Sequence, residues 1–157
     1  MTEPRVALHR DPVWRKRSDF IISAEIEPGD TGKQTEQLWA RKVDESHFEL
    51  CCIPFFAYHL ALGDVVRTES RASGRYVVSE VTQPSGRSVF RVWFGGTAEP
   101  RKDVLDELES LGALIEWSSN NLLAVDAPDR DSAHHLAAFL REQEVQGRLI
   151  YETGKAA

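Results

Sequence analysis

At 157 residues, with 41% hydrophobic and 28% charged positions, the chain has the length of one ordinary domain or two small ones packed together. No run approaches the roughly 18 apolar residues of a membrane span, and residues 1–17 lack the apolar segment of a secretory leader, so the expected location is the cytoplasm. A formal charge of −6 argues against a protein devoted to nucleic acid.

In chain order, residues 1–17 show no period and read as an extended arm carrying five basic and two acidic groups. "DFIISAEI" (19–26) is a strand, and "EPGDTGKQ" is a loop by its Pro, Gly and Asp content. "EQLWARKV" (36–43) alternates Leu38 and Ala40 against Trp39 and Arg41, and "HFELCCI" (47–53) returns beside it as a hairpin. Pro54 ends that ladder for want of an N–H. The stretch "PFFAYHLALGDVV" is too apolar for an exposed loop and too short for a good helix. It reads as a buried crossing or a single helical turn that inserts Phe55, Phe56 and Leu60, with Val65 opening the next strand. Gly63-Asp64 turns the chain into that strand (65–70), and "GRYVVSEVTQ" (74–83) is its partner.

From Ser88 the pattern changes. "SVFRVWF" is a strand, and "PRKDVLDELESLG" sets Val104, Leu105, Leu108 and Leu111 on one helical face. "ALIEWSS" and "NLLAVDAP" are strands joined at Asn120-Asn121. "DSAHHLAAFLREQEVQG" is a second helix capped at Asp131 or Ser132, and "RLIYET" is a last strand. The expected class is α+β: an SH3-like antiparallel sheet followed by a βαββαβ ferredoxin-like domain. The expected division is an arm over 1–17, a β-rich subdomain over 18–84 and an α+β subdomain over 85–157.

Chemistry-bearing residues are few. Cys51 and Cys52 are adjacent, so on a strand their thiols diverge, and a bond between them closes no useful loop. Burial as small hydrophobes is the plain reading. A nucleophilic site would draw on Cys52, His59 and Asp64, although no glycine-flanked nucleophile surrounds either cysteine. No metal site is expected, because there is no second CxxC and His134 and His135 are neighbours. Gly95, Gly96 and Thr97 lie between a strand and a helix, where open N–H groups can receive a small ligand. Arg67, Arg71, Arg75, Arg87 and Arg91 form a local excess of positive charge over Glu69 and Glu80, and offer a site for an acidic or phosphate-bearing partner if they converge.

Five stretches in order, "EQLWARKV", "FELCCIPFFAYHLALGDVV", "SGRSVFRV", "LESLGALIEW" and "LLAVDAP", resemble an uncharacterised bacterial family, domain of unknown function 4265, over about residues 19–153. The resemblance implies a bacterial cytoplasmic origin and carries over no activity and no catalytic residue. "DVLDELESLGALIEW" is also similar to ACT-type small-molecule-sensing domains, which places an amino-acid ligand near Gly95 and Gly96.

Together these readings lead to a non-enzymatic binding or regulatory protein of the bacterial cytoplasm, without cofactor, that engages a protein partner in an immunity- or antitoxin-like manner. The alternative is a ligand-sensing module at the Gly95–Pro100 loop. The third reading is an enzyme using Cys52, His59 or Asp64.

Overall fold

The computed structural model describes residues 5–26, 34–95 and 101–157. Alternation on the second long strand organises the first half. In β3 (Thr35–Lys42), Glu36, Leu38 and Ala40 are buried, and Gln37, Trp39 and Arg41 face outward. β2 (Phe20–Glu25) pairs antiparallel along one edge of β3. The other edge is shared. β1 (Val6–Ala7) adds in parallel at Thr35 and Glu36, and β4 (His47–Leu50) adds antiparallel at Ala40 to Lys42. β5 (Val65–Ser70) and β6 (Tyr76–Gln83) complete a six-stranded sheet of order β1-β3-β2-β6-β5-β4, with β6 meeting β2 in parallel at Ser23 and Val77. Its core holds Ile22, Leu38, Phe48, Leu50, Cys52 and Val66.

β7 (Ser88–Trp93), β8 (Leu114–Trp117), β9 (Leu122–Ala127) and β10 (Ile150–Lys155) form a second sheet of order β10-β7-β9-β8. Five of the six residues of β7 are buried, as a strand covered on both faces requires. Phe90 and Val92 pack with α1 (Arg101–Ser110) and α2 (Arg130–Val145) through Val104, Leu108, Leu136 and Leu140. Val89 and Ala124 instead meet Ile53, Phe55, Ala61 and Leu62. Those four belong to residues 51–64, an irregular segment between β4 and β5 that crosses from one sheet to the other.

The expected class is corrected. The described residues are 40% strand and 21% helix, with ten strands in two sheets and two helices. This is a mainly β chain and not an α+β chain of an SH3-like sheet followed by a ferredoxin-like domain. The two helices span only 10 and 16 residues, and strands outweigh them along the chain. The arm also contributes a strand to the first sheet, and the crossing segment welds the two sheets over one interface. The second helix is capped at Asp129, whose carboxylate accepts from Ser132 N–H at 2.7 Å, and not at Asp131 or Ser132. Within the crossing, Phe55 and Leu60 are buried as expected, while Phe56 and Val65 are half-buried. Among the described residues no helix is long and apolar enough to cross a membrane.

Candidate functional site

A buried segment outside any ladder has no neighbouring strand for its N–H groups, and each unpaired donor there costs about 1–3 kcal/mol. Residues 51–64 meet this need with side-chain carboxylates. Glu36 is turned inward by the alternation of β3. Its Oε1 accepts from the backbone N–H groups of Phe56 and Ala57, both at 2.9 Å, and its Oε2 accepts from Phe55 N–H at 2.7 Å. Glu116, inward on β8, accepts from Ile53 N–H at 2.6 Å and from Val13 N–H at 3.4 Å. Asp64 closes the far end, accepting from Ala61 N–H at 2.9 Å and Ser85 N–H at 2.8 Å.

Two cations answer these anions. Lys155 of β10 donates to Asp64 Oδ2 at 2.6 Å. His9, from the arm, stands between the two glutamates: Nε2 is 2.6 Å from Glu36 Oε2 and Nδ1 is 2.8 Å from Glu116 Oε1. Its ring lies flat on Phe55, with centroids 4.0 Å apart. His9, Glu36 and Glu116 are all buried.

Glu36 carries four donors, which requires the ionised carboxylate. Both imidazole nitrogens face carboxylate oxygens, which assigns His9 as the imidazolium with both N–H groups donating. Burial works against that charge, but the Glu116 and Glu36 carboxylates bonded to the ring outweigh it and hold the His9 pKa well above 6.5. Burial likewise opposes the Glu36 charge, and His9 with the N–H groups of Phe55 and Phe56 outweighs it, so the carboxyl lies below 4.5. Burial pushes the Cys52 thiol up, and the two glutamates add to that against the pull of His9. Burial pushes Cys51 up to about 12, with Glu49 adding to it. Both thiols are therefore protonated at neutral pH, and neither is poised as a nucleophile. An imidazolium donating at both nitrogens has no lone pair for a metal or for general-base work. The network's work is to hold backbone and to pin the arm.

The arm is pinned at further points. Trp39 Nε1 donates to His9 C=O at 3.1 Å, and Trp14 N–H donates to Cys51 C=O at 3.1 Å. This positions a 3-10 turn, Arg15–Arg17, on the surface. Arg15 lies 5.2 Å from the Trp39 ring, and Trp14 is flanked by the guanidinium groups of Arg17 and Arg87 at 5.2 and 5.3 Å. Glu49 accepts from both Arg17 and Arg41. Arg15 and Lys16 pair with no carboxylate among the described residues.

The residues singled out from sequence do not form one site. Cys52 and Asp64 are buried in separate networks. His59 is exposed at a φ of +68° with its N–H on Gly154 C=O, and no hydrogen bond joins these three among the described residues. Gly95 has a φ of +65° and sits under the Trp93 ring, while Gly96, Thr97 and the rest of the loop to Pro100 lie outside the described residues. The arginines divide. Arg67 pairs with Glu80, Arg71 with Glu25 and Glu69, and Arg75 with the Ser73 hydroxyl. Arg87 binds Asp126, and Arg91 is buried against Glu152. His9, Glu36, Glu116 and Lys155 escaped sequence reasoning. The available signal was an acidic residue in phase with the apolar positions of a strand, at Glu36 and again at Glu116.

No match was found among curated proteins. The fold is similar to the crystal structure of a hypothetical protein from Neisseria gonorrhoeae, with a TM-score of 0.74 and 22% identity over 87% of this chain and 95% of that one. The family model described as a domain of unknown function, DUF4265, matches residues 36–151. That span includes Glu36, the whole crossing segment and Glu116, so the chain belongs to the DUF4265 family.

Proposed function

We propose that this protein is a binding or regulatory factor that engages an acidic surface of a protein partner through the Arg15–Arg17 turn, with Trp39 and Arg41 beside it. The observation that supports this reading is a surface of four cations, Arg15, Lys16, Arg17 and Arg41, backed by two indoles and anchored by a buried network. Of these, Arg17 and Arg41 share Glu49, and Arg15 and Lys16 have no carboxylate among the described residues. Rigid anchoring lowers the ordering cost of binding, and arginine matches carboxylates bidentately. The chain's net charge of −6 favours a protein partner over nucleic acid, because a long polyanion would run off the patch onto negative surface. Restraining a partner in an immunity- or antitoxin-like way would need no more than such a contact.

Affinity capture with the wild type and with Arg15→Glu/Lys16→Glu, across a salt series, tests this. A partner presenting acidic surface should be held by the wild type, released as salt rises and lost from the variant. An unchanged set of bound proteins refutes the proposal.

A further inference from the structure

We propose that Arg91 is a receptor for the carboxylate of a small ligand, at a place separate from the partner surface. Arg91 is on the β7 face turned toward the first sheet and is only 4% exposed. Its Nη1 donates to Glu152 at 3.1 Å, but Nε and Nη2 are buried with no hydrogen-bond partner. These two nitrogens share one edge of the guanidinium, where their N–H bonds run parallel and match the two oxygens of one carboxylate. Arg87, four residues earlier, shows the same edge filled: Nε meets Asp126 Oδ1 at 2.8 Å and Nη2 meets Oδ2 at 2.6 Å. Arg91 has that edge buried without an acceptor among the described residues.

The surroundings suit a flat anion. Gly154 lies beside the guanidinium, and a Cβ there would come within 3.1 Å of Nη2. The Tyr58 ring covers the group, 4.1 Å from its Cζ. Tyr58 is itself 53% exposed and is fastened by its hydroxyl donating to Glu152, whose side chain is half in water. Both covering groups can turn to solvent without being buried elsewhere. Tyr58 also walls a cleft with Phe56, Ala57, His59 and Leu60, so the ring that covers Arg91 borders open space. A buried pair of donors without acceptors carries a desolvation penalty that a bound carboxylate removes. With Tyr58 and Gly154 close to the guanidinium, a planar carboxylate lying in its plane suits the Nε and Nη2 edge better than a tetrahedral phosphate.

Titration of nitrogen-15-labelled protein with sodium acetate, sodium phosphate and sodium chloride at equal ionic strength, followed at the arginine Nε–H resonances, tests the assignment. Acetate should move the Arg91 resonance saturably and leave Arg87 in place. Tyr58→Ala should lower the half-saturating concentration, and Arg91→Lys should abolish the acetate response of the Tyr58 and Gly154 amides. If Arg91→Lys does not fold, the wild-type Nε–H resonance alone decides. No response to acetate at Arg91, an equal response to chloride, a response to phosphate only, or an acetate response that persists in Arg91→Lys would overturn the proposal.

Discussion

Replacing Glu36 by Gln keeps the shape of the side chain and removes its charge. The wild-type carboxylate holds two N–H donors on Oε1, and on Oε2 one N–H donor together with His9. An amide offers one oxygen, and its NH2 group would point two hydrogens at two of those donors. Two buried donors then lose their acceptor, Phe56 and Ala57 N–H or Phe55 N–H and His9, according to which way the amide turns. Removing one partner of a buried pair costs about 3–5 kcal/mol. Against a total stability of about 5–15 kcal/mol for a domain, that is a large share. At about 2–4 °C per kcal/mol for a chain of this size, the melting temperature should fall by roughly 6–20 °C. Urea unfolding followed by intrinsic tryptophan fluorescence measures the free-energy loss, and a thermal scan followed by circular dichroism measures the shift in melting temperature. A loss below about 1 kcal/mol would mean that the four donors do not depend on Glu36, and would refute the reasoning.

The network also sets a pH profile. The folded pKa of His9 is raised, so its share of stability is complete below its unfolded value near 6.5 and is lost as pH climbs through the folded value. The folded pKa of Glu36 is lowered, so its share is complete above about 4.5 and is lost as pH falls through the folded value. Urea midpoints across that range should therefore decline on the alkaline side in the wild type, and His9→Asn should remove most of that decline; an unchanged slope contradicts the imidazolium assignment. The thiols give a separate check. A disulfide-exchange reagent should find neither Cys51 nor Cys52 in the native protein and both after denaturation, and replacing both by Ala should cost stability while leaving partner binding intact.

The hairpin of β3 and β4 was legible because Leu38 and Ala40 alternate with Trp39 and Arg41, although pairing stops at Leu50, ahead of Pro54. The two helices were legible from the spacing of Val104 and Leu108 and of Leu136 and Leu140. The class was not, because local periodicity says nothing about how strongly two sheets share a core or that Val6 and Ala7 would join one of them. The crossing segment was recognisable as buried, but its means of support was not. Glu36 reaches backbone about 20 residues away, and Glu116 reaches Ile53 and His9 across 63 and 107 positions. A side chain that bonds backbone N–H groups leaves no trace in the identity of the residues it serves. The arginines misled for a related reason. Arg87 lies just before β7 and Arg91 lies on it, and each is engaged by a carboxylate of a neighbouring strand, so counting charge along the chain credits the surface with groups that Asp126 and Glu152 have taken.

Amide hydrogen exchange at Ile53, Phe55, Phe56 and Ala57 tests most directly whether buried carboxylates replace a β-ladder for the crossing segment. The account expects these four amides to exchange as slowly as those of the doubly covered strand β7, through global unfolding alone. In Glu36→Gln, protection should drop at Phe55, Phe56 and Ala57 well before it drops at Ile53, which Glu116 holds. Exchange of all four at the rate of an open loop in the wild type, or an equal drop at all four in the variant, would contradict it.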